Sequence, residues 1–193
     1  MGDAPLTPER ILEASEDVLR RYGPAKATVV DISRELGVSH GSVYRHFPSK
    51  AALRDRVAER WLHGISEPLA AVAGESRPAP ERLRRWFELL VASKRDRALD
   101  DPELFATYVQ LAGESRAVIT AHVEELVSQL ARIISDGVEQ GTFRVDDPRA
   151  AARAAFDATG RFHNPAHAGE WSDPDIDAAF ENVLSLVLRG LEG

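Results

Sequence analysis

Residues 28–47, TVVDISRELGVSHGSVYRHF, constrain this chain more than any other stretch. Thr28 with Asp31 three residues later is the Ser/Thr-x-x-Asp/Glu signature of a capped helix start. Ile32 and Leu36 are four apart and share one face of that helix. Gly37 stops it, because glycine adopts the left-handed conformation at the C′ position without a steric penalty. Val38 follows as an apolar plug, and Ser39 is placed to cap a second helix. In that second helix Val43 and Phe47 are again four apart and point inward, so His40, Ser42 and Arg45 point outward. Two short helices joined by a tight turn are a helix-turn-helix. That motif lays its second helix in the DNA major groove.

The surrounding residues extend the pattern. The string Gly37-Val38-Ser39-x-Gly41-x-x-Tyr44-x-His46-Phe47-x-x-Lys50-x-x-Leu53 resembles the signature of the tetracycline-repressor family of bacterial transcription regulators. A preceding helix fits too, with Ile11, Ala14, Val18 and Tyr22 at helical spacing. The match covers about the first quarter of the chain; beyond it the likeness is one of length and helical character.

Bulk properties agree with a globular, non-secreted chain. Its 193 residues suffice for one or two compact domains. Hydrophobic residues make up 44% and charged residues 28%, the ordinary balance of a packed protein. With no cysteine there are no disulfides and no thiolate metal sites. The first residues, MGDAPLTPER, lack the apolar core of a signal peptide, and no stretch approaches the roughly 20 apolar residues of a membrane span. The expectation is a cytoplasmic protein without membrane partners.

A net charge of −7 looks wrong for a DNA binder. Residues 1–60, however, hold ten Lys/Arg against nine Asp/Glu, so the excess acid lies beyond residue 60. Between Ser39 and Arg60 the basic residues are Arg45, Lys50, Arg54, Arg56 and Arg60, opposed by Asp55 and Glu59. A local positive patch is sufficient for phosphate binding, since surface fields are screened within about 8 Å at physiological salt.

The rest of the chain reads as helices. Ser49 caps one that begins at Lys50, with Leu53, Val57, Trp61 and Ile65 on one face and Pro68 as a kink or an end. Residues 74–80 form a loop. Further helices follow over 81–97, from Pro102 to Gly113, from Ser115 to Gly141, over 149–162, and from Pro174 to about Leu191, with a loop at 164–173. No strand alternation, repeat or low-complexity tract interrupts them. The fold class is therefore all-α, with about nine helices: an N-terminal three-helix DNA-binding domain over residues 1–50 and a C-terminal helical domain over 51–193, connected by a helix at 50–72.

The resemblance assigns roles to individual positions. His40, Gly41, Ser42 and Arg45 fall where the family reads base edges, and Arg45 suits a bidentate contact to guanine. Thr28, Ser39, Tyr44, His46 and Lys50 fall where it holds phosphates, contacts that set register without reading sequence. The family pairs its last two helices into a four-helix dimer interface, here Ala151 and Ala155 with Phe180, Val183, Leu184, Val187 and Leu188. A twofold dimer matches a palindromic operator of double-stranded DNA. The family also commonly binds a small effector in the C-terminal domain. The aromatic residues Trp61, Trp86, Phe87, Phe105, Tyr108, Phe156, Phe162 and Trp171, with His122, are the pocket candidates; core packing is the competing reading for each.

Other chemistry finds little support. His163 and His167 are four apart, and His122 with Glu125 or Asp157 could join them in a metal site, but Pro165 breaks any shared helical face and no cofactor is implied. There is no Gly-rich phosphate loop, H-E-x-x-H, cysteine nucleophile or G-x-S-x-G, so an enzyme is not expected. The expected function is a sequence-specific regulator, a repressor released by a small molecule. The alternatives are a ligand-independent architectural or nucleoid DNA-binding protein of the same fold, or an activator.

Overall fold

A computed structural model describes residues 5–193. Its described residues form ten α-helices and one 3-10 segment, joined by turns and short loops. In chain order these are α1 (Pro8–Lys26), α2 (Val29–Glu35), α3 (His40–Tyr44), α4 (Lys50–Ala73), α5 (Ala79–Asp100), α6 (Pro102–Glu114), α7 (Arg116–Glu139), α8 (Pro148–Ala158), α9 (Gly160–His163), the 3-10 segment Pro165–Glu170 and α10 (Ile176–Glu192). The expected nine helices become eleven because the alanine-rich segment breaks after α8, and the loop at 164–173 winds into 3-10 turns.

The helices gather into two compact units. One contains residues up to Leu62 together with 101–120, and the other contains 63–100 with 121–193. In the first, α1 packs on α2 and α6, and α2 on α3. Thr7 caps α1, accepting from the Arg10 N–H at 3.3 Å, and Pro8 occupies its first turn. Gly23, at φ 71°, ends the regular part of α1 ahead of Pro24, whose ring disfavours helical backbone at the residue before it. The buried face of α1 is Ile11, Leu12, Ala14, Ser15, Val18 and Leu19. Tyr22, one turn on from Val18, is 46% exposed because the helix ends there, and Arg21 lies over its ring at 5.9 Å.

The second unit is built on α5 and the C-terminal part of α7. α5 also packs on α9 and the 3-10 segment, and α8 packs on α9 and α10. Leu83, Trp86, Phe87 and Leu90 of α5 and Leu130, Ile133 and Ile134 of α7 are completely buried. Pro68 lies inside α4, which continues to Ala73; Ile65, Leu69 and Val72 on its buried face hold it through the missing hydrogen bond.

Gly137 of α7 admits no side chain. A Cβ there would stand 2.2 Å from Cδ2 of the buried Phe143, whose own N–H donates to the Gly137 carbonyl at 3.0 Å. Gly137→Ala is expected to cost about 1–3 kcal/mol by overpacking, read as a lowered urea midpoint; an unchanged midpoint would show that Phe143 moves aside freely.

Candidate nucleic-acid interface

Local hydrogen bonds build the helix-turn-helix. At the start of α2 the Thr28 N–H donates to Asp31 Oδ2 at 3.1 Å and the Asp31 N–H donates back to Thr28 Oγ1 at 3.2 Å, a complete capping box. The Thr28 hydroxyl donates to the same carboxylate at 2.6 Å, and these bonds hold the Asp31 carboxyl below its usual range. The turn after α2 is a Schellman motif. Gly37 takes φ 67°, its N–H donates to Arg34 O at 3.2 Å, and the Val38 N–H donates to Ser33 O at 2.9 Å. Ser39 then caps α3, accepting from the Ser42 N–H at 3.2 Å.

α3 turns Val43 and Phe47 into the core, both buried. His40, Gly41, Tyr44, Arg45 and His46 are exposed and Ser42 is half-buried, so one side of the second helix is presented to solvent. Arg45 Nη2 donates to Ser42 Oγ at 3.0 Å, and Ser42 Oγ lies 2.9 Å from Ser39 Oγ. This chain of contacts lays the guanidinium along α3. The His40 and Tyr44 rings meet edge to face at 6.3 Å. Lys50 is exposed in the first turn of α4, which Ser49 caps through the Ala52 N–H at 3.0 Å.

Charges in this unit are mostly paired. Arg54 joins Glu114, Arg56 joins Glu59 at 2.5 Å, and Arg60 reaches Glu16 at 3.2 Å and Glu13 at 3.7 Å. Arg45 and Lys50 take part in no ion pair among the described residues, so both remain available to phosphate or base. Asp55 accepts from the Ser115 hydroxyl, which ties α4 to the start of α7 within this unit.

The aromatic and histidine candidates separate into two groups. Trp61, Phe105 and Tyr108 belong to the first unit: the Trp61 and Tyr108 rings stack at 4.9 Å with 1° between planes, and Phe105 meets Trp61 at 6.2 Å. Burial pushes the Tyr108 phenol up, with Glu16 adding to it. Trp86, Phe87, His122, Phe156, Phe162 and Trp171 belong to the second. Trp86 Nε1 donates to Gln129 Oε1 at 3.0 Å, Trp171 Nε1 donates to Arg161 O at 3.0 Å, and Phe162 packs against Phe180 at 5.4 Å. No three His, Asp or Glu side chains among the described residues are placed to hold a metal. The histidine cluster does not form: His167 is bound to Glu170 at 2.8 Å in the 3-10 segment, whereas His163 is buried against Phe156.

Of the α10 positions, Phe180 and Leu184 are buried within the second unit, and Val183, Val187 and Leu188 are half-buried. Leu186, which the spacing did not single out, is 65% exposed. On α8, Ala151 is half-buried and Ala155 buried. Sequence reasoning also missed Lys94, buried on the apolar side of α5. Its only signal was a lysine falling four and eight residues after Leu90 and Trp86.

Residues 11–57 match the family described as "Bacterial regulatory proteins, tetR family". Residues 79–184 match "Tetracyclin repressor-like, C-terminal domain". The chain belongs to the tetR family. The helix-turn-helix of α2 and α3 lies within the first of these matched segments. Among its relatives is the nucleoid occlusion factor SlmA of Vibrio atlanticus (strain LGP32), 32% identical over 93 residues, 47% of each chain. The chain thus spans about half the length of that relative. The repressor SmeT of the Stenotrophomonas maltophilia multidrug efflux pump SmeDEF has the same fold, with TM-score 0.71, 21% identity and coverage of 100% and 93% of the two chains. So does the Thermus thermophilus repressor FadR, solved with lauroyl-CoA, with TM-score 0.65, 22% identity and coverage of 95% and 94%. No described helix of this tetR-family chain is long and apolar enough to cross a membrane.

Proposed function

We propose that this regulator is a homodimeric, cytoplasmic repressor that binds a palindromic operator and is released by a small-molecule effector, acting by binding rather than by turnover. The observation that carries the DNA half of this reading is the exposed side of α3, where His40, Gly41, Ser42 and Arg45 face outward over a buried Val43 and Phe47. In this reading those four contact base edges, and Thr28, Ser39, Tyr44, His46 and Lys50 hold phosphates. Residues 1–50 serve as the DNA-binding domain and 51–193 as the effector and dimerisation domain, with α4 linking them. Release requires the effector to bind more tightly to the arrangement of recognition helices that fits the operator poorly.

Support for the dimer comes from α10, where Leu186 is exposed and the half-buried Val183 and Val187 border the buried Phe180 and Leu184. Ala151 and Ala155 of α8 with Leu188 complete the interface in this reading. Support for the effector comes from Trp86, Phe87, His122, Phe156 and Phe162 inside the second unit, with Trp61, Phe105 and Tyr108 as further candidates, and from FadR having been solved with an acyl-CoA. SmeT, a repressor of the same fold, supports repression. SlmA favours the alternative, a nucleoid DNA-binding role without an effector.

Selection of bound fragments from random DNA by the purified protein tests the reading. Enrichment of an inverted repeat is expected; no enrichment, or a motif without twofold symmetry, overturns it. On the selected operator, Arg45→Ala is expected to cost about 1–3 kcal/mol and to relax preference at one base pair. Lys50→Ala is expected to weaken binding to every sequence alike and to flatten the slope of log K against log salt by about 1. Gel-shift titrations on operator and scrambled DNA distinguish them; equal losses on both DNAs for Arg45→Ala would remove it from the base-reading set.

A further inference from the structure

The loop between α4 and α5, the start of α5 and the end of α7 border an open recess of about 650 Å³, all of it within the second unit. Glu75 and Arg77 line it from the loop, Arg82 from α5, and Arg132 and Asp136 from α7. Apart from Gly74 and Pro78 the lining is polar, so the recess is separate from the aromatic residues buried in the same unit.

Arg82 stands apart from the other lining residues because it is only 3% exposed. Its Nη1 donates to Ala73 O at 3.0 Å and to Asp136 Oδ2 at 2.8 Å, which closes the C-terminus of α4 and ties α5 to α7. That structural role uses one corner of the guanidinium. Nε is buried with no hydrogen-bond partner, and Nη2 makes no hydrogen bond among the described residues. The Nε–H and one Nη2–H point the same way, along the edge on which a carboxylate or phosphate sits side-on. Burying a donor without an acceptor is unfavourable, and an orphaned charged donor beside an open recess calls for a function.

The charges around the recess select the ligand. Glu75 Oε2 lies 3.2 Å from Arg77 Nε and 3.3 Å from Arg85 Nη1, and Asp136 is held by Arg82. Arg77 also reaches Glu81 at 3.8 Å. The acids at the recess therefore already have arginine partners. Arg132 is exposed and joins no ion pair among the described residues. Arg77, Arg82 and Arg132 thus outnumber Glu75 and Asp136 in the lining. The N-terminus of α5 borders the same space and adds to the positive field. A cation would meet charge of its own sign here, and an apolar ligand would find almost no apolar wall.

We propose that this recess is an oxyanion-binding site for a small hydrophilic molecule. The Nε–Nη2 edge of Arg82 takes a phosphate or carboxylate group side-on, and Arg132 supplies the second cation. The polar body of the ligand occupies the remaining space beside Ser76, Gln140 and Thr142. The site does not depend on the effector reading above, whose candidates are the buried aromatic residues.

Nuclear magnetic resonance of the arginine Nε–H groups in the full-length protein tests this, with inorganic phosphate, glucose 6-phosphate and glucuronate as probes and glucose and sodium chloride as controls. The Arg82 Nε–H signal is expected to shift and saturate with at least one of the three anions. It should stay in place with glucose and with chloride at equal ionic strength. Saturation by the phosphates alone assigns a phosphate head, and saturation by glucuronate alone a carboxylate. Arg132→Glu should weaken the saturating anion at least tenfold at unchanged Tm, because that exposed side chain ties nothing together in the fold. Arg82→Lys keeps the charge but not the edge, and by calorimetry should also weaken the anion at least tenfold; its Tm reports separately whether the tie to Ala73 and Asp136 survives. An Arg82 signal that no anion moves, one that chloride moves equally, or anion binding indifferent to Arg132→Glu overturns the proposal. The effector reading is judged by release of operator DNA, which these spectra do not measure, so the two can fail separately.

Discussion

Between pH 7.5 and pH 5 the protein is expected to lose about 4 kcal/mol of stability, about 2 kcal/mol through each of two buried histidines. Burial lowers His122 to about 3 and His163 to about 4, with the Lys94 charge adding to both and the bond to Phe156 O opposing it for His163. The unfolded chain takes up these protons near 6.5. Between that value and the folded ones, the unfolded state binds protons that the folded state refuses, so the stabilisation is complete above about 6.5 and drains away as the pH falls. Urea unfolding at the two pH values measures it. His122→Leu should remove about half of the histidine-dependent part, and the difference between wild type and variant cancels contributions from carboxylates such as Glu16, which burial raises. A variant with the wild-type pH slope would mean that His122 is hydrated in solution and titrates normally.

Leu186→Glu is expected to convert the protein to a monomer and to lower operator affinity at least about a hundredfold, since linking two half-site contacts in one molecule raises overall affinity by roughly 10²–10⁴. Leu186 is 65% exposed on α10, one turn from the half-buried Val183. A carboxylate there is fully hydrated in a monomer and must be desolvated in a dimer, while the protomer's own packing through Phe180 and Leu184 is untouched. Light scattering gives the mass, circular dichroism the helix content, and gel shift the affinity. A variant that remains dimeric with wild-type operator affinity would place the dimer contact elsewhere.

What was legible in the sequence was local. The Thr28–Asp31 box, the Gly37 turn and the Ser39 cap each close through bonds spanning three to five residues, so residue type and spacing are enough to identify them. The inward placement of Val43 and Phe47 follows from helical periodicity alone. The same reasoning ran out where a local rule met a tertiary one. Tyr22 keeps the spacing of Val18 yet lies outside the core, because Gly23 and Pro24 end the regular helix beneath it. Pro68 marks a possible stop, yet α4 passes through it because the flanking Ile65, Leu69 and Val72 are buried.

Other features had no local sign. Nothing between residues 101 and 120 says that this segment joins the N-terminal helices, because α6 is placed by its contacts with α1, nearly a hundred residues earlier. The aromatic candidates formed one set by residue type and two by position, with Trp61, Phe105 and Tyr108 stacked in one unit and the others in the second. Lys94 sits at an apolar position of α5, where its type argued for the surface and the packing of α7 and α9 decided against it.

By itself, then, the sequence determined the all-helical class, the helix-turn-helix and the side of α3 that faces outward, because caps, glycine turns and the 3.6-residue period act within a few residues. Only the tertiary structure decided which apolar positions of α10 are buried, which charges already have partners, and that Lys94, His122 and His163 lose water together. Desolvation and pairing depend on neighbours distant in the chain, and no local pattern of residues encodes them.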